Sequence, residues 1–190
     1  MKVILLVIGV IIGTAGISSI AVFFWPEPKV HTYIADKNGL IVLSHPVEIR
    51  AHPGKIWEFL LNIEENYKAW HPSDHVVFTW TEGTPWEKGA RIYSEQYMGG
   101  ELVTYKGVVT ESVPGRKITF TFDFPISIMN PKNEFVISGT DSVSTFCGIT
   151  YLKFNKLFRL LFSPQIDEMI DSIAAHTAME NENMKRILEQ

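Results

Sequence analysis

The sequence predicts an α+β fold in which an antiparallel sheet curves around one long C-terminal helix. Runs of β-branched and aromatic residues, separated by short turns, fill the middle of the chain. Residues 164–188 instead repeat apolar side chains at helical spacing, and Pro164 suits the first turn of a helix. A sheet that wraps a single helix buries one face of each and leaves space for a ligand between them.

Residues 1–25 are predicted to form a single-pass membrane anchor. No charged residue occurs between Val3 and Trp25, and about 20 apolar residues cross a hydrocarbon core as a helix. A cleaved signal peptide is the alternative, although its apolar region is usually only about 7–15 residues long. Residues 26–39 are predicted to be a polar tether, and residues 40–190 a domain outside the cytoplasm.

The domain is expected to begin with a strand and a helix. Val47, Ile49 and Ala51 alternate with polar residues, which predicts the opening strand. Residues 53–63 place apolar side chains at helical spacing behind Pro53, which predicts the helix.

A meander of antiparallel strands is predicted next. Glycine and proline punctuate it at Gly99-Gly100 and at residues 113–116. Residues 155–162 then predict a short amphipathic helix, which either closes the mouth of the ligand cavity or touches lipid headgroups.

Composition excludes two classes of protein. The formal net charge is −4, with no basic stripe of the kind that nucleic-acid binding requires. Cys147 is the only cysteine, which excludes an internal disulfide framework and a cysteine-rich zinc site.

The last helix contains a candidate pair of metal ligands, His176 and Glu180. They are four residues apart and therefore neighbours on one helix face, which Ile173 and Met184 share. A carboxylate buried there needs a partner, and imidazole nitrogen with carboxylate oxygen suits a divalent ion such as zinc. A surface ion pair is the alternative interpretation.

Two longer segments carry a resemblance to a known superfamily. "VEIRAHPGKIWEFLLNIEENYKAW" and "GVVTESVPGRKITFTF" resemble the opening strand and helix and the central strand pair of the START-related helix-grip superfamily, which includes polyketide cyclases. The resemblance covers residues 43–190 and implies a cavity for a small hydrophobic molecule.

Within that superfamily, "YKAWHPSDH" together with the late "HTAME" helix resembles the diacetylphloroglucinol hydrolases. Those enzymes use zinc, held by two histidines and two glutamates, to cleave a carbon–carbon bond between an acyl group and a phenolic ring. The resemblance implies the zinc ligands His75, Glu95, His176 and Glu180. It also implies Glu101 as the alternative to Glu95, and Tyr67 as the phenol that contacts the substrate.

One departure from that family concerns the acid/base. The family uses a further histidine from its central strands, but no histidine lies between His75 and His176 here. The residues that could replace it are Tyr93, Tyr97, Glu101, Tyr105 and Asp123. His71 is expected to be a solvated loop residue, and Trp57, Trp70, Trp80 and Trp86 are expected to be core and rim aromatics.

The expected function is a membrane-anchored, zinc-dependent hydrolase of a small hydrophobic, acyl-aromatic or polyketide-like molecule. The alternative is a non-catalytic carrier of a lipid or another hydrophobic ligand at the membrane.

Overall fold

The computed structural model describes residues 32–35, 40–129 and 131–190. The predicted anchor, residues 1–25, lies outside this part of the chain. Among the helices that are described, none combines the length and the apolar character that crossing a bilayer requires.

Nine strands of the described chain form one antiparallel sheet. They are β1 (Thr32–Ala35), β2 (Leu40–Ser44), β3 (Val47–Ile49), β4 (His75–Glu82), β5 (Arg91–Met98), β6 (Glu101–Val113), β7 (Lys117–Phe122), β8 (Lys132–Gly139) and β9 (Ser144–Lys153). Their order across the sheet is β1-β2-β9-β8-β7-β6-β5-β4, and β3 also pairs with β9. Strand β1 falls inside the predicted tether, which therefore contributes an edge strand. The predicted opening strand, residues 40–51, is divided between β2 and β3.

The described helices are α1 (Pro53–Leu61), α2 (Ile63–Trp70), α3 (Lys156–Leu161) and α4 (Ser163–Leu188), with a 3-10 turn at Ile126–Met129. Helix α2 was not predicted as a separate element. It forms because Ile63, Tyr67 and Trp70, at helical spacing, are all buried against the core.

Helix α4 crosses the concave side of the sheet, as predicted. It packs against β2, β3 and β9 on one side and against β5 on the other. Gly148 of β9 permits this close approach, because a Cβ atom there would lie 3.3 Å from a methyl carbon of Thr177. The first half of α4 buries Ile166 and Ile170 in one apolar cluster, and Met184 lies in a second, larger one.

Between these packed regions, α4 does not fill the concave side. Val103, Tyr105, Phe122 and Phe135 of the central strands share the inner face with buried residues of the same strands. Solvent nevertheless reaches all four side chains. The concave side above β6, β7 and β8 is therefore open to solvent.

Candidate metal centre

The fold brings together three of the predicted zinc ligands, which come from distant parts of the sequence. His75 is the first residue of β4, whereas His176 and Glu180 lie one turn apart in the middle of α4. Helix α2 aligns the two elements, because the Nε1 atom of Trp70 donates a hydrogen bond to the backbone oxygen of Glu180 at 2.8 Å.

The proton of His75 is located by its backbone neighbour. Its Nδ1 atom lies 2.8 Å from the carbonyl oxygen of Tyr67. Because a carbonyl oxygen only accepts, Nδ1 carries the proton and donates it. The Tyr67 ring stacks on the imidazole with the centroids 3.7 Å apart. His75 is thereby held with its Nε2 lone pair directed at α4.

His176 is oriented in the same way by a carboxylate. Its Nδ1 atom lies 3.1 Å from Oδ2 of Asp74, so Nδ1 donates and Nε2 is the free nitrogen. Histidines that bind metals usually donate their other ring N–H to a carbonyl or carboxylate, which fixes the tautomer and the ring orientation. Both histidines of this site have such a partner.

The three free ligand atoms form a nearly equilateral triangle. The Nε2 atoms of His75 and His176 are 3.3 Å apart. The Oε1 atom of Glu180 lies 3.0 Å from the first and 3.6 Å from the second. Zinc bound tetrahedrally at about 2.0–2.2 Å keeps its ligand atoms about 3.3–3.6 Å apart. Two of the three separations lie in this range and the third is 0.3 Å shorter, so small side-chain adjustments fit the residues to a divalent ion of this size.

The same geometry favours positive charge at the centre. Two imidazole lone pairs and a carboxylate oxygen converge, while the protons of both rings are directed outward to Tyr67 and Asp74. Such electron pairs repel, and the amide of Gln96, 3.3 Å from Nε2 of His176, offsets only part of this repulsion, so the geometry favours a cation between them. That cation is either a metal ion or an additional proton on one of the imidazoles.

Ionisation within the group follows from the same neighbours. Burial raises the pKa of Glu180, but the imidazoles of His176 and His75 lower it by a larger amount. The net pKa is therefore well below the usual range. Burial lowers the pKa of His176, but the carboxylates of Glu180 and Asp74 outweigh it and the net pKa is raised. Glu180 is therefore a charged carboxylate at neutral pH.

A second group, His71, Asp74 and His176, also brings potential ligand atoms close together. Its two imidazoles stack with the centroids 4.5 Å apart and the planes only 8° from parallel. An imidazole binds a metal ion through a lone pair that lies in the plane of its ring. Two stacked, nearly parallel rings therefore cannot both direct a lone pair at the same ion. The rings of His75 and His176 are inclined at 49°, so their planes intersect.

Glu95, the fourth predicted ligand, does not lie in the group. On β5 the buried residues are Ile92 and Ser94, so Glu95 points to the opposite face, where it accepts a hydrogen bond from Tyr93. The alternative, Glu101, is on the inner face at the start of β6. Neither glutamate is among the groups of described residues whose ligand atoms come close enough to share an ion.

Gln96 occupies the place in which a fourth ligand was expected. Its amide nitrogen lies 3.3 Å from Nε2 of His176, and its Oε1 accepts a 2.6 Å hydrogen bond from the hydroxyl of Tyr67. Sequence reasoning missed Gln96 because a neutral amide attracts less attention than the adjacent glutamate. The only available signal was its position two residues after Ser94, on the same face of β5 as Ile92 and Ser94.

Two phenols lie close to the group. Burial raises the pKa of Tyr67, and the charge of Glu180 raises it further. The pKa of Tyr105 is raised by the same two causes in the same order. Both phenols therefore keep their protons at neutral pH and can act as donors. Five residues of the sequence could replace the histidine that the family uses as acid/base. Among them, Tyr105 lies close enough to Glu180 and Gln96 for both to affect its pKa.

The structure corrects one further expectation and confirms another. His71 is not a solvated loop residue: it is only 4% exposed, and it stacks on His176. The four tryptophans are core and rim residues as predicted, because Trp70 and Trp86 are buried in the larger cluster while Trp57 and Trp80 pack against it.

Comparisons with solved structures place this architecture among known folds. The di-domain aromatase/cyclase BexL superposes with a TM-score of 0.66 at 11% identity, over 82% of this chain and 52% of its own. The chain has the helix-grip fold. The Zhui aromatase/cyclase from a Streptomyces species gives a TM-score of 0.58 at 13% identity, over 78% of this chain and 96% of its own.

A plant enzyme shows that the helix-grip likeness extends beyond the cyclases. Norcoclaurine synthase from Thalictrum flavum, in complex with dopamine and hydroxybenzaldehyde, gives a TM-score of 0.57 at 12% identity over 90% of this chain and 98% of its own. The chain spans about half the length of BexL. Neither a protein-family model nor a curated protein matches the sequence. At these identities the comparisons establish the fold, while the resemblance to diacetylphloroglucinol hydrolases stays a prediction.

Proposed function

We propose that this chain is a membrane-anchored, zinc-dependent hydrolase of the helix-grip fold, acting on a small hydrophobic, acyl-aromatic or polyketide-like molecule. One observation supports this most directly. The Nε2 atoms of His75 and His176 and the Oε1 atom of Glu180 converge at 3.0–3.6 Å, while both Nδ1 atoms are already engaged.

The substrate would occupy the open concave side, against the partly exposed residues of the central strands. A bound divalent ion would supply Lewis-acid chemistry there, polarising a carbonyl oxygen or acidifying a water molecule. Glu180 and the two histidines would hold the ion. Tyr105, protonated at its hydroxyl, would donate a hydrogen bond or a proton to oxygen or ring atoms of the substrate, and Tyr67 would do the same once its hydroxyl leaves Oε1 of Gln96.

Metal analysis of the full-length chain, purified in detergent, tests the first half of this proposal. We expect one equivalent of zinc in the wild type and none in His176→Ala. The matched control is His45→Ala, because the imidazole of His45 contacts only the exposed Glu182 and lies outside the group. Equal zinc in the wild type and in His176→Ala would overturn the metal site.

A panel of acyl-phenols and aryl esters tests the second half. The zinc-loaded wild type and His45→Ala should turn over at least one of them, whereas His176→Ala should not. Zinc binding without turnover of any member of the panel would leave the metal site standing and refute the hydrolase assignment for these substrates.

A non-catalytic carrier of hydrophobic ligands is the second candidate, and one observation favours it. The imidazoles of His176 and His75 already stabilise the charged carboxylate of Glu180, so one additional proton on an imidazole could balance the group without a metal ion. The helix-grip neighbours include proteins bound to aromatic molecules, such as norcoclaurine synthase with dopamine and hydroxybenzaldehyde. Equal affinity of wild type and His176→Ala for a fluorescent apolar ligand, with no zinc in either, would favour this candidate.

A further inference from the structure

Five large apolar side chains are more exposed to solvent than the other large apolar side chains of the described chain. Phe124, Ile128, Leu157, Leu160 and Leu161, together termed the α3 patch, are 59–78% exposed. No other large hydrophobic residue of the described chain exceeds 50%. Exposed apolar area concentrated in this way marks an interaction surface.

Strand pairing places the two segments of the patch at one end of the sheet. Phe124 and Ile128 follow β7 and precede β8, whereas the three leucines follow β9. Lys132, at the start of β8, pairs with Thr121 at the end of β7 and with Tyr151 near the end of β9. The two segments also pack against the same cluster of buried residues, through Met129 and Phe158 respectively. Both segments of the α3 patch therefore lie at the same end of the sheet, over one buried cluster.

Local structure explains why these leucines stay outside. The side chain of Asn155 accepts a hydrogen bond from the backbone N–H of Phe158 at 2.7 Å and begins α3. Within this short helix Phe158 turns towards the core, which leaves the three leucines on its outer surface. None of the six residues of α3 is buried.

The sequence around α3 is basic in a chain whose net charge is negative, although Asp123 precedes Phe124 and Asp167 follows in the first turns of α4. Residues 142–166 contain no aspartate or glutamate, and they contain Lys153, Lys156 and Arg159. Exposed leucines flanked by basic residues suit the interface of a bilayer that contains anionic lipids.

The position of the predicted anchor agrees with this partner. Thr32 pairs with Ser44, and Leu40 pairs with Lys153 at the patch end of the sheet. Thr32 is therefore four residues of strand, roughly 13 Å, from that end. The six residues 26–31 span at most about 20 Å. A bilayer that contains residues 1–25 is thus within reach of the α3 patch.

We propose that the α3 patch docks on the surface of an anionic bilayer, its leucines and Phe124 entering the acyl boundary. The open concave side of the sheet then lies close to the lipid, so that an apolar ligand can enter from the membrane. Docking depends on the patch and not on the zinc site, and either can fail without the other.

Fluorescence of the full-length chain in vesicles tests the proposal. A Cys147→Ala background allows one environment-sensitive label at Leu160→Cys. The control is Val113→Cys, 40% exposed at the opposite end of the sheet, where Val113 pairs with Lys117 at the start of β7. In phosphatidylcholine–phosphatidylglycerol vesicles, the label at 160 should shift to the blue and be quenched by nitroxide-bearing lipid. The label at 113 should remain accessible to aqueous iodide.

The alternative occupants give different results. A label at 160 that is shielded from iodide but not quenched by lipid would mean that the protein itself or a second copy covers the patch, which overturns the proposal. Iodide quenching equal to that at 113, or failure of the chain to bind vesicles, overturns it as well. Replacement of phosphatidylglycerol by phosphatidylcholine should weaken the lipid quenching at 160, because the basic residues then lose their partner.

Discussion

Zinc affinity in four variants would decide which of the two histidine groups binds the ion. His75→Ala and His176→Ala each remove one of the three converging ligand atoms. Asp74→Asn keeps a hydrogen-bonding side chain near Nδ1 of His176 but removes the charge 3.1 Å away. His71→Ala removes only the stacked ring, whose link to the group runs through Asp74 at 3.5 Å.

These distances predict how strongly each substitution weakens zinc binding. Loss of an outer hydrogen-bond partner typically weakens metal binding roughly 10–100-fold, and this is the expectation for Asp74→Asn. Loss of a ligand atom should exceed 100-fold, or about 2.7 kcal/mol, so His75→Ala and His176→Ala should be the weakest binders. The zinc affinity of His71→Ala should fall less than about tenfold, because the ring plane of His71 cannot contain the ion.

Competition with a chromophoric zinc chelator, on the full-length chain in detergent, measures all four affinities, with His45→Ala as the matched control. The decisive comparison is between His71→Ala and His75→Ala. If the first lost zinc and the second kept it, the ion would belong to the other group and the argument from ring planes would be wrong. Equal affinity in every variant would remove the site altogether.

Three further predictions concern residues around the group and the stability of the sheet. Gln96→Glu places a carboxylate 3.3 Å from the coordinating nitrogen of His176, so zinc affinity should rise about tenfold; a fall in the same chelator assay would refute this placement of Gln96. Tyr67→Phe removes the 2.6 Å hydrogen bond to Gln96 and should lower the free energy of unfolding by about 1–2 kcal/mol in urea; no change would show that this bond contributes nothing. The last concerns Glu134→Gln. Burial raises the pKa of Glu134, but hydrogen bonds from Lys132 and Tyr151 lower it by more, and the net pKa is below its ordinary value. Its stabilisation is therefore present above the unfolded pKa of about 4.3 and is lost as the pH falls through the folded value. The loss of unfolding free energy in Glu134→Gln, measured in urea, should thus be larger at pH 7 than at low pH. A loss that does not depend on pH would contradict a lowered pKa of Glu134.

Much of the fold could be predicted because it depends on short-range patterns. The alternation of residues in β6 and β7, the glycines of the turn at 99–100 and the helical spacing after Pro164 are local properties. The turn glycines adopt positive φ angles of 58° and 79°, which side-chain-bearing residues rarely adopt. Helix α2 escaped prediction because its eight residues include only three buried ones.

Sequence pattern predicted the candidate site only where it too was local, and His75 was named through the family resemblance alone. His176 and Glu180 lie on one face because residues four apart in any helix do so. Glu95 was placed wrongly for a related reason. Alternation in β5 separates Glu95 from Gln96, but it does not say which of the two faces the helix. The resemblance to zinc hydrolases favoured the glutamate, and the packing of the sheet put the glutamine inside.

The amino-acid sequence by itself determined the α+β class, the long final helix and the candidate ligand pair on it, because periodicity and spacing act over a few residues. Only the tertiary structure decided that His75 meets His176 across 101 positions, that His71 stacks beside them and that Gln96 closes the group. Those contacts depend on which strands pair and how far the sheet curves, and such long-range geometry leaves no short-range pattern in the sequence.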